Sequence, residues 1–190
     1  MTIMNIRFAC VMCLALTTGL VLAQEPAGQN WKSFKSTTGF SVKYPGSWFT
    51  KGASTDRLMI LSSDGGAEAV VIKRGQAMIS VKEEEYTGST LSQLIDHYTQ
   101  DTDVLSRKNI RNERAGTQGC RDLQQIVSRE ALVPPEDVPR SVPYMINTEY
   151  FCEIHGHKYV TVLRNFKGDK KQAMYQQVAL RVAESLSADE

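Results

Sequence analysis

From residue 31 to residue 186 the hydrophobic pattern of the chain switches between two periods, and the switches predict its elements. Residues 31–36 and 40–44 repeat every second position, with Phe40, Val42 and Tyr44 on one side and Ser41 and Lys43 on the other. That spacing predicts strands with one face buried, and Thr37-Thr38-Gly39 supplies the turn of a hairpin. Pro45 cannot donate to a ladder and Gly46 frees the backbone, so the strand stops there and Trp48 lands just past the bend. Its indole is expected to plug the end of the core begun by Phe40, Val42 and Tyr44; the competing use is an aromatic platform for a ligand.

Further strands are predicted over 58–63, 68–75 and 76–83, punctuated by Asp64-Gly65-Gly66 and Gly75. The period then becomes helical. Leu91, Leu94, Ile95 and Tyr98 share a face, and Thr90 with Gln93 matches a capping box. Strand patterns return over 105–114, 119–129, 145–154 and 158–166. In the third of these, Tyr150, Cys152 and Ile154 fall on one face and Glu149 and Glu153 on the other, and a His155-Gly156 turn would set Glu153 opposite Lys158. A closing helix is predicted from Asp169 and Gln172, a second capping box, with Met174, Val178, Val182 and Leu186 on its buried face. The fold class is therefore α+β: a mainly antiparallel sheet with one inserted helix and one C-terminal helix.

Composition adds an address. The first 23 residues carry one charge, Arg7, followed by an apolar run from Phe8 to Leu22 and the small Ala23. The run is shorter than the roughly 20 residues that span a bilayer, so residues 1–23 are expected to be a secretory signal peptide, with a signal anchor as the alternative. Residues 24–30 then form a linker, and 31–190 a single domain. Of the 22 Lys+Arg and 21 Asp+Glu, only Arg7 precedes Gln24, so the exported chain would be electrically neutral. A neutral chain lacks the basic stripe that phosphate backbones or anionic membranes require, and no later apolar run approaches spanning length. An oxidising destination makes a Cys120–Cys152 disulfide the natural expectation, against two buried thiols. Such a bond would close a loop worth roughly 3–4 kcal/mol in the chain-entropy account.

The residues Gly39, Phe40, Tyr44, Pro45 and Trp48, together with the element order, resemble the PsbP-like superfamily, which includes many exported bacterial proteins. The resemblance implies an α-β-α sandwich around a central antiparallel sheet, without established catalysis in most members. The photosystem subunit that names the family looks like a docking and metal-retention factor, and another branch binds a small GTPase.

Candidate chemistry is sparse. His155 and His157 could offer two imidazoles to a metal, but a metal needs three or four ligands, so they stand as weak candidates. Glu83-Glu84-Glu85 is a carboxylate run and His97 sits beside Asp96 on the first helix; both are expected to be solvated surface. No phosphate loop, nucleophile elbow or His-Glu-x-x-His is present. The Pro-rich stretch 131–143 holds four of the six prolines and is either a partner-binding lip or a tolerated insertion. These readings predict an exported, non-catalytic module without a cofactor, recognising an envelope or extracellular protein or a small ligand. A hydrolase or metal-dependent enzyme with a site assembled from distant residues is the alternative.

Overall fold

A computed structural model describes residues 30–51, 57–62, 72–85, 89–130 and 144–189. Residues 1–23, expected to be a signal peptide, and the Pro-rich stretch 131–143 lie outside the described residues. Among those described, the order is β1 (Trp31–Lys35), β2 (Phe40–Pro45), β3 (Phe49–Lys51), β4 (Arg57–Leu61), β5 (Ala77–Glu84), α1 (Leu91–Thr99), β6 (Asp103–Arg111), β7 (Asp122–Glu130), β8 (Met145–Ile154), β9 (His157–Phe166), α2 (Gln172–Glu184) and β10 (Ser187–Ala188). The α+β class holds, with every strand pairing antiparallel.

Seven strands form one sheet in the order β3-β4-β5-β9-β8-β7-β6, and β1-β2-β10 form a second. The central strands β8 and β9 are buried along nearly their whole length, because the large sheet is covered on both faces. On one face Ile79, Tyr150, Cys152, Tyr159 and Leu163 pack with α2 and with Phe40 and Val42 of the small sheet. On the other, Phe151, Val160 and Val162 receive Leu94 and Ile95 of α1. The Thr90–Gln93 capping box is formed, so the first helix starts where its side chains satisfy the free N–H groups.

Three local expectations are corrected. Residues 72–75 are a turn, not the end of a strand over 68–75, whose remainder lies outside the described residues. Asp169 does not cap α2: the helix begins after Lys171, whose N–H donates to Asp169 Oδ1 at 2.9 Å. The buried face carries Tyr175, Val178, Ala179, Val182 and Ala183, while Met174 stays 41% exposed and the buried Leu186 lies beyond the helix end.

The stretch 39–48 has a separate physical reason at each step. Gly39 has φ +101°, a conformation that side chains resist. Phe40 and Val42 are in the core. Beyond Pro45 the backbone turns so tightly that the Gly46 N–H donates to Asn30 O at 2.6 Å, and an added Cβ would stand 2.4 Å from that same oxygen. Gly46→Ala should therefore destabilise the fold by about 1–3 kcal/mol, read from urea denaturation midpoints, because a backbone atom must give way. An unchanged midpoint would mean that the bend relaxes freely.

Candidate functional site

The residues singled out for chemistry do not converge. His155 occupies the tight β8–β9 turn with φ 52° and is exposed. His157 is also exposed, and its Nδ1 donates to Glu83 Oε1 at 2.6 Å. Glu84 is taken up by Lys82 and by the hydroxyl of Tyr98, and Asp96 faces Arg107. Among the described residues no group of three His, Cys, Asp or Glu is arranged to hold a metal. Cys120 and Cys152, with Cα atoms 6.0 Å apart, form a disulfide just before β7 and within β8. Trp48 is 7% exposed and meets Tyr175 edge-on, with centroids 5.9 Å apart.

Two sites that the linear pattern hides carry more chemistry. The first is a polar row crossing the α1 side of the large sheet. Ser128, Asn147 and Arg164 are register neighbours on β7, β8 and β9. Each holds a buried polar atom without a hydrogen bond: Ser128 Oγ, Asn147 Oδ1 and Arg164 Nε. Asn147 Nδ2 donates to Glu130 Oε2 at 2.9 Å, which also faces Arg164 at 3.7 Å. One step along β8, Glu149 is 8% exposed, and burial pushes its carboxyl up to about 7 against the pull of Arg164 and Lys82. The row is the polar seam between two apolar clusters, the one under α1 and the one formed by Leu61, Ile72, Met78 and Met145.

The second is a groove where α2 ends. Trp31, Lys43, Asn112, Arg114, Arg181 and Glu184 line a cavity of about 360 Å³. A second cavity of about 440 Å³, walled by the 114–119 turn and the chain after Glu184, shares Lys43, Arg114, Glu184 and Ser185 with it. The walls are fixed from below. Asn112 is 5% exposed, and its Nδ2 donates to Cys120 O at 3.0 Å and Glu184 O at 2.9 Å, while its Oδ1 accepts from Arg114 N at 3.2 Å. Ser185 Oγ accepts from Lys43 N at 2.8 Å and donates to Val182 O at 2.7 Å, tying β2 to the last turn of α2. Lys43, Arg114 and Arg181 make no ion pair among the described residues. Burial raises the Glu184 carboxyl above its usual range, while Arg114 and Arg181 act to lower it. Three cations against one part-buried carboxylate leave the groove net positive on a chain otherwise close to neutral.

No family model matches the chain, and neither does any curated protein. Solved structures do. The Ran-binding protein Mog1p of Saccharomyces cerevisiae is 9% identical with a TM-score of 0.54, over 84% of this chain and 96% of that one. A Bacteroides thetaiotaomicron protein is 14% identical with a TM-score of 0.47, and this chain spans only 48% of its length while 84% of this chain is covered. Cyanobacterial PsbP from Synechocystis is 11% identical with a TM-score of 0.45, over 90% of this chain and all of that one. At such identities the likeness to Mog1p shows a shared fold and nothing finer.

Proposed function

We propose that the chain is an exported, non-catalytic PsbP-like module that binds a partner through the groove at the end of α2. The observation that carries this reading is the groove: three cations that make no ion pair among the described residues, facing the single carboxylate Glu184, with Asn112 and Ser185 fixing the backbone at Arg114 and Lys43 beside a half-buried indole. Clefts that combine a few fixed polar groups with an aromatic wall are the usual form of a recognition site. Export is supported by the disulfide and by the leader-like residues 1–23. Among the described residues no helix is long and apolar enough to cross a membrane. Membership of the PsbP-like superfamily is supported by the residues Gly39, Phe40, Tyr44, Pro45 and Trp48 together with the element order.

The test is retention of a partner from a native envelope extract by the immobilised chain and by an Arg114→Glu/Arg181→Glu variant with the same thermal midpoint. The variant should lose roughly tenfold or more of what the wild type retains, since reversing two charges in a contact suppresses association. Equal retention would remove the groove from the reading.

The enzymatic alternative is favoured by one observation, the Glu149 carboxyl near 7, a value suited to a general acid at neutral pH. The two readings separate at Glu149→Gln. That change should leave partner retention intact, whereas an acid–base role requires that turnover collapse.

A further inference from the structure

From the shape and charge of the groove we infer its ligand class: an extended acidic peptide segment that lays carboxylates on Lys43, Arg114 and Arg181 and an apolar side chain on Trp31. This deepens the binding reading and rests on it. Shape supports a peptide. The two cavities share four residues and so adjoin, and their linings together reach from Trp31 of the small sheet to the 114–119 turn, more surface than a compact anion needs. Arg114 and Arg181 come from different elements, a turn and a helix, and the fork geometry of guanidinium suits carboxylates that arrive one at a time along a chain.

The lone acid decides between classes of anion. Glu184 stands between Arg114 and Arg181 in charge terms, influenced by both. A dense polyanion, a phosphodiester strand or a sulfated glycan, would meet this carboxylate with many like charges at once. A peptide with spaced acids can straddle it. The carbonyls of the last turn of α2 are already taken by the Ser185 N–H and by Asn112, so recruitment of an anion falls to the cationic side chains. Trp31 supplies the sequence-tolerant apolar contact, an indole half-buried at the start of β1, with its ladder partner Pro45 behind it.

The probe is a fluorescein-labelled synthetic peptide carrying three spaced glutamates and one phenylalanine, titrated against the full chain by polarisation. Its controls are the same peptide with glutamine for glutamate, and heparin. Saturable binding is expected, weakened roughly tenfold by the glutamine peptide and by Arg114→Glu or Arg181→Glu, and progressively by salt. Glu184→Gln should tighten binding several-fold by removing the repulsive carboxylate, an effect that a merely structural role would not produce.

Equal binding of the glutamine peptide, or of the glutamate peptide to the charge-reversed groove, overturns the inference. So does heparin binding with the glutamate peptide silent, which would assign the groove to polyanions. The envelope-extract experiment keeps the failures apart. Retention that depends on Arg114 and Arg181 while the glutamate peptide does not bind sinks the ligand class alone; retention indifferent to both arginines sinks the groove itself.

Discussion

Trp48→Ala should destabilise the protein by about 3–5 kcal/mol, the cost of emptying a large buried aromatic site that cannot collapse. In a domain of this size that corresponds to a fall in Tm of roughly 10 °C. The indole is 7% exposed within the main core cluster, and its backbone N–H donates to Pro45 O at 2.9 Å, closing the bend that Gly46 permits. Across the core it meets the Tyr175 ring at 80°. Tyr175 in turn donates its hydroxyl to Gly75 O at 2.5 Å, so three distant segments converge on one edge-to-face contact. The adjacent residue is the control. Phe49 is 46% exposed on the edge strand β3, and Phe49→Ala should cost under about 1 kcal/mol. Thermal or urea unfolding of the two variants checks both values. Similar losses at 48 and 49 would mean that the bend, and not the burial of the ring, sets stability there.

The contrast between these two neighbours shows why part of the fold was legible. Period-two spacing identified the β1–β2 hairpin and the long strands β8 and β9, and helical spacing identified α1 with its cap. Those signals are local, and the physics that produces them acts over a few residues. The phase of α2 was less accessible. Met174 and Tyr175 are both apolar enough to face the core, and the partners that distinguish Tyr175, the Trp48 ring and the Gly75 carbonyl, come from distant segments. The second face of the sheet was misleading for another reason. Glu149 alternates with Tyr150 and so looks outward, yet α1 and the apolar cluster around Met78 leave no outside there. The groove left no trace in the pattern, because Trp31, Lys43, Arg114 and Arg181 are separated by up to 150 residues and meet only when both sheets and α2 have docked. Asn112, which starts the turn after β6 and bonds carbonyls at positions 120 and 184, gives no sign of that role in the linear pattern, because both carbonyls reach it only in the folded chain.

That misread face carries the other large effect. Glu149 titrates near 7 in the folded protein and near 4.5 when unfolded, because burial disfavours its charged form. Between those two values the folded chain holds a proton that the unfolded chain has released, so the stability slope with pH is negative. The stabilising contribution of the protonated form is complete below about 4.5 and is lost as pH rises through 7. Beyond that the ionised carboxylate costs about 3 kcal/mol. The surrounding groups set the size without reversing the sign: Arg164 on β9 and Lys82 on β5 favour the charge, Glu130 on β7 opposes it, and the Tyr98 hydroxyl on α1 is itself held protonated by burial and by Glu84. Glu149→Gln keeps the shape and removes the proton. Chemical denaturation from pH 4 to pH 8 should show the wild type losing about 3 kcal/mol relative to the variant, with the two close to equal at the acid end. A constant difference across that range would place Glu149 in contact with water in the folded state and dissolve the polar seam as a buried feature.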